Sequence, residues 1–149
     1  MSKLSGFHVA VVATDGFEES ELTEPVAALR DAGARVTILS LKPGQIQGVR
    51  HDLDKTVRVK VDCAIGDVSA DEFDAVHLPG GAVNADSLRT APRVQAFLLA
   101  MQAAGKPFAV ICHAPWEHDR AEKELIVRLS VAHPREDHRQ PRGAGQTLV

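Results

Sequence analysis

"AVICHAPWE", residues 109–117, starts as an apolar run and stops at a thiol, an imidazole, a small residue and a proline. An apolar run without alternation fits a parallel strand buried on both faces. Pro115 cannot extend a sheet but suits the first turn of a helix. The stretch therefore reads as a strand, a sharp turn and the start of a helix, with Cys112 at the bend. Three earlier runs share its character: "HVAVVAT" (8–14), "RVTILS" (35–40) and "AVHLPG" (75–80), the fourth being "PFAVIC" (107–112).

Helical segments separate these runs. "EESELTEPVAALRDAG" (18–33) has an acidic first turn, which favours the positive end of a helix dipole, and Gly33 ends it. Thr90 and Pro92 open a second helix, with Val94, Phe97, Leu98 and Met101 on one face and Gly105 at its close. Strands alternating with helices predict an α/β fold, a doubly wound and mostly parallel sheet with helices on both faces. "GQIQGV" (44–49) and "KTVRVKV" (55–61) interrupt this order and predict a small antiparallel excursion.

Composition narrows the function classes. A chain of 149 residues suits one domain with a real core. Five Phe, one Trp and no Tyr leave that core to Val, Leu, Ile and Ala. A formal charge of −3 offers no basic surface for nucleic acid and no polybasic membrane anchor. No apolar run is long enough to span a bilayer. Two cysteines make no disulfide framework and the N-terminus has no signal-peptide pattern, so the expectation is a cytoplasmic protein with reduced thiols.

In a doubly wound sheet, chemistry gathers at the carboxyl ends of the strands. Three stretches fall there. At the strand–turn–helix bend, Cys112 projects toward solvent and the free N–H groups of the helix favour its thiolate. A cysteine is more often a small buried hydrophobe, and Cys63 in "KVDCAIG" keeps that reading. The His, small residue and Pro that follow Cys112 tip it toward a nucleophile. In "LPGGAVNADSLR" (78–89), the glycines let backbone N–H groups approach a substrate carbonyl, so Gly80 and Gly81 are oxyanion-hole candidates. In "DGFEESELTEP" (15–25), Glu18, Glu19, Glu21 and Glu24 supply carboxylates. Three of them are expected to be a solvated helix start and one to face the thiol, and spacing does not choose which.

Together "GFEESELTEP", "HLPGGAVNADSLR" and "AVICHAPW" resemble the PfpI family of the class I glutamine-amidotransferase-like superfamily, over roughly residues 6–117. The resemblance implies a flavodoxin-like fold. It implies Cys112 as the nucleophile, His113 as the adjacent general base and Glu21 as the helix carboxylate that hydrogen-bonds the thiol. Gly80 and Gly81 match the oxyanion backbone, and Asp86 matches an acid that reaches the His of a neighbouring subunit, so a homo-oligomer is implied. Family members are intracellular cysteine peptidases, general stress proteins, and glyoxalases or deglycases. The implied partners are small carbonyl compounds, glycated proteins or peptides, with no cofactor and no metal. The alternative is a non-enzymatic redox-sensing or chaperone-like protein, in which Cys112 is oxidised to a sulfinic acid that Glu21 stabilises. The further His and Glu of true glutamine amidotransferases have no equivalent downstream of Cys112, so that activity is not expected.

After Glu117 the resemblance stops, and the family's C-terminal part is missing or replaced. Residues 1–117 thus read as a PfpI-like α/β domain and residues 118–149 as an atypical tail. Ala121, Leu125 and Leu129 recur at helical spacing and predict a helix to about residue 132, with the rest irregular because of Pro134, Pro141, Gly143 and Gly145. His118, His133 and His138 have no spacing that fits a compact metal site.

Overall fold

The computed structural model describes residues 3–111. At its centre lies β1 (His8–Val12), in which Ala10, Val11 and Val12 are fully buried. Such a strand has no solvent face, which is why its sequence shows no alternation. β2 (Phe17–Glu18) and α1 (Glu19–Asp31) follow, then β3 (Arg35–Ser40), β4 (Gly44–Arg50), β5 (Asp54–Val61) and β6 (Cys63–Ala64). After two 3-10 turns come β7 (Ala75–Leu78), α2 (Ala82–Arg89), α3 (Pro92–Ala103) and β8 (Phe108–Val110).

Among the described residues, five strands form the main sheet in the order β6-β3-β1-β7-β8, every neighbouring pair parallel. From β1 the chain moves through α1 to β3 on one side. It later returns to β7 on the other side and moves outward through α2 and α3 to β8. Right-handed crossovers in opposite directions put the helices on opposite faces. Two separate cores confirm this. Leu22 and Val26 of α1 pack with Val11 and Ile38, whereas Val94, Phe97, Leu98 and Met101 of α3 pack with Ala10 and Val12. The alternation of β1 side chains thus feeds both faces. The doubly wound, flavodoxin-like architecture expected from the sequence is the one observed.

The excursion is a second sheet, β2-β4-β5, with β4 and β5 antiparallel as the sequence predicts. The short β2 adds to it in parallel, Phe17 opposite Gly48. This ties the start of α1 to the hairpin. The predicted tail helix and the irregular segment after it lie outside the described residues.

Because the chain reverses direction between β1 and β7, their carboxyl ends border a topological switch point, the place where open α/β sheets leave a crevice. The loop after β1, the Pro79-Gly80-Gly81 turn after β7 and Ile111 after β8 share that rim.

Candidate active site

Glu21 is the third residue of α1, in the turn where the helix dipole favours an anion. Its Oε2 accepts a hydrogen bond from the Gly80 N–H at 2.7 Å. A Cβ at position 80 would lie 2.3 Å from that same oxygen and 3.0 Å from the Ile111 carbonyl oxygen, so any larger residue would have to displace the Glu21 carboxylate. Gly80 thus stands between the Glu21 carboxylate and the residue that immediately precedes Cys112. Gly81 is constrained differently: its φ of 115° is left-handed, and a Cβ there would meet the Gly16 carbonyl oxygen at 2.1 Å. The Glu18 N–H also donates to the Gly80 carbonyl at 3.0 Å, closing the turn onto the start of α1.

Of the four glutamates in "DGFEESELTEP", only Glu24 is exposed on the helix surface. The expectation that three would be merely solvated is corrected by two contacts. Glu18 accepts from the His51 N–H at 2.8 Å and the Asp52 N–H at 3.2 Å, gripping the tip of the β4–β5 hairpin. Glu19 pairs with Arg50 at 3.2 Å. Both stretches of chain are drawn together because β2 joins the hairpin sheet.

Two buried polar residues were not singled out in the sequence. Asn84 in α2 is 1% exposed. Its Oδ1 accepts from the Thr14 N–H at 2.8 Å, and its Nδ2 donates to the Pro79 carbonyl at 3.0 Å. One amide therefore ties the loop after β1 to the turn after β7. His77, 3% exposed, sits in β7 with Nε2 at 2.8 Å from the Glu21 carbonyl oxygen and Nδ1 at 3.1 Å from that of Ala109. Neither was visible from spacing, since Asn in "GGAVNADS" reads as a turn former and His77 as an interruption of an apolar run.

The six sequence-derived site residues are distributed as follows. Glu21, Gly80 and Gly81 come together at the rim, beside Ile111. Cys112 and His113 lie outside the described residues. Asp86, on α2, is held by Arg89 at 2.5 Å on the same helix, and its side chain is 57% exposed. The Gly80 N–H is committed to Glu21, which leaves Gly81 as the glycine whose N–H is not assigned to that carboxylate. Cys63 is on β6, at the other end of the described strand order from β8. Chemically, the rim offers a fixed carboxylate and close-approach backbone next to a strand end.

Comparison with known proteins agrees with this fold. Residues 7–122 match the DJ-1/PfpI family. General stress protein 18 of Bacillus subtilis is 39% identical over 111 residues, covering 74% of this chain and 62% of the relative. Protein/nucleic acid deglycase 2 of Escherichia coli is 37% identical over 108 residues, covering 72% and 60%. The structure of oxidized Toxoplasma gondii DJ-1 superposes with a TM-score of 0.65 at 30% identity, covering 74% of this chain and 58% of that one. The chain spans about three-fifths of the length of the curated relatives it matches.

Proposed function

The chain belongs to the DJ-1/PfpI family, and on that premise we propose that it is a stress-response cysteine enzyme whose Cys112 thiolate attacks a carbonyl carbon. The substrate is a dicarbonyl compound, a glycated side chain or a peptide. Names of relatives, a general stress protein and a deglycase among them, support this class of partner. The observation that carries the reading is the Glu21 carboxylate, anchored by the Gly80 N–H at 2.7 Å against the residue before Cys112. A carboxylate so placed can take the thiol proton or hold it in a hydrogen bond. As sulfur bonds to carbon, the carbonyl π electrons move to oxygen, and the Gly81 N–H stabilises the oxyanion. His113 carries a proton between thiol and adduct. Residues 1–117 act as the PfpI-like domain and 118–149 as a tail attached to it. Asp86 completes the site from a second subunit of a homo-oligomer.

The test compares methylglyoxal turnover and iodoacetamide labelling. Turnover that vanishes in Cys112→Ser is expected, together with alkylation of Cys112 much faster than of Cys63 at neutral pH. The Cys112 profile should titrate below the ordinary thiol value of about 8.5. Equal labelling rates at the two cysteines in the folded protein would remove the nucleophile assignment.

A second reading rests on the same carboxylate. A protonated Glu21 carboxyl can donate a hydrogen bond to an oxygen of a Cys112 sulfinate, and the Toxoplasma relative was solved in an oxidized form. Ready oxidation of Cys112 without carbonyl turnover would favour this redox-sensing role. Either role fits a protein in which, among the described residues, no helix is long and apolar enough to cross a membrane.

A further inference from the structure

Pro25 lies inside α1, four residues after Glu21. In an α-helix the carbonyl of residue 21 accepts from the N–H of residue 25, and proline has none. The Glu21 carbonyl therefore loses its helical donor in a packed region, where an unpaired carbonyl is costly. His77 reaches it from the neighbouring strand, Nε2 to oxygen at 2.8 Å. Both ring nitrogens face carbonyl oxygens, and a neutral imidazole carries a single N–H. The shorter contact and the carbonyl deprived of its donor assign that proton to Nε2. The cavity beside the ring is walled by Val9, Pro25, Leu29 and Pro107 and has no charged side chain in its lining. In such apolar surroundings a hydrogen bond is strengthened.

We propose that His77 is a positioning residue for Glu21, supplying the donor that Pro25 withholds and thereby holding the Glu21 carboxylate on the Gly80 N–H. The same ring contacts Ala109, which stands opposite His77 in the β7–β8 register, three residues before Cys112. The one ring proton thus ties β7 to α1, which bears the carboxylate, while the bare Nδ1 gives the Ala109 carbonyl no hydrogen bond. Only the consequence for Cys112 rests on the proposed function. The anchoring of Glu21 does not.

The test uses the full chain in two backgrounds. In the native protein, long-range nitrogen–proton NMR of His77 should show Nε2 protonated and Nδ1 bare, and the opposite tautomer would overturn the proposal. With Pro25 present, His77→Leu should speed amide hydrogen exchange at Gly80 by about tenfold, the equivalent of one lost hydrogen bond. In Pro25→Ala, where residue 25 regains its N–H, the same His77→Leu change should alter Gly80 exchange by less than about threefold. His77→Gln, which keeps a side-chain N–H donor, should stay close to the native rate even if the leucine variant folds poorly. Unchanged Gly80 exchange in a folded His77→Leu protein, or an equal effect in both backgrounds, would sink the idea. If Gly80 responds as expected while the pH profile of Cys112 alkylation does not move, the anchoring stands and the proposed thiol–carboxylate partnership falls.

Discussion

The Gly80 amide donates to the Glu21 carboxylate at 2.7 Å across fifty-nine residues of chain, joining the turn after β7 to the first turn of α1. Replacing Gly80 by alanine would push a methyl group to 2.3 Å from the accepting oxygen and to 3.0 Å from the Ile111 carbonyl. Overpacking of this kind costs about 1–3 kcal/mol. Urea unfolding of Gly80→Ala should show a loss in that range. Because the closer of the two contacts is with the Glu21 side chain, Glu21→Ala should relieve part of the clash, so the double variant should lose less than the sum of the two singles. Strict additivity would mean that the backbone, and not the carboxylate, takes up the strain.

Asn84 is the second support of the rim. Its removal leaves the Thr14 N–H and the Pro79 carbonyl without the partners they have now. Each group so stranded costs about 1–3 kcal/mol, and Asn84→Ala should lose roughly 2–6 kcal/mol in all. Val83, next to it on α2, is 56% exposed, and Val83→Ala should stay within about 0.5 kcal/mol of the native protein. Equal losses at the two positions, measured by urea unfolding, would show that the helix tolerates loss of the amide and that the two loops are held by other contacts.

At the tip of the β4–β5 hairpin, His51 and Asp52 adopt φ values of 54° and 62°. Left-handed conformations cost a residue with a side chain about 1–2 kcal/mol, so something must hold this turn. The Glu18 carboxylate does so through both backbone N–H groups, and Asp52 in turn accepts from the Ala82 N–H at the start of α2 at 2.9 Å. Glu18→Ala should therefore loosen the hairpin tip and the first turn of α2 together. Limited proteolysis should cut faster near Leu53, which is already 84% exposed, and the His51→Gly/Asp52→Gly background should blunt the effect by removing the left-handed cost. An unchanged cleavage rate in Glu18→Ala would show that the turn holds itself.

The parts of this fold that the sequence made legible are those in which neighbours along the chain carry the information. β1 announces itself because a strand buried on both faces is continuously apolar, and β3, β7 and β8 because each is a short, mostly apolar run. The apolar face of α3 repeats at helical spacing, and Gly33 and Gly105, at φ values of 92° and 68°, end α1 and α3 as their positions suggest. What stayed hidden depends on partners distant in sequence. No side chain caps α2 at its own N-cap, Gly81. Its cap is Asp52, thirty residues earlier, so nothing local in "AVNADSLR" marks the start of a helix. The two-residue strands β2 and β6 are too short for any period. Glu21 was distinguished from its acidic neighbours only by family resemblance, because what sets it apart is Gly80 on another strand. His77 resists a local reading for the same reason, since its contacts are with α1 and β8.

Asp86 leads to the last prediction. Its carboxylate is 57% exposed and paired with Arg89, so it lies on the surface of α2, outside the Glu21–Gly80 contact. An acid there can serve His113 of a second subunit, and the two readings, acting across subunits or within one chain, differ in stoichiometry. Asp86→Ala alone should lower turnover at least about tenfold if the acid orients the proton-carrying imidazole. Cys112→Ser alone should abolish it. In a dimer with acids acting across the interface, a hybrid of the two variants holds one site with cysteine, histidine and acid all present. Random reassortment of equal amounts makes about half of the dimers hybrid, restoring about a quarter of the wild-type sites. If the acid acts within its own chain, every hybrid site lacks either the acid or the thiol and mixing restores nothing. The measurement is methylglyoxal turnover after unfolding and joint refolding of the two variants, with the oligomeric state followed by light scattering. A monomer that turns over substrate with Asp86 intact would exclude the shared site outright.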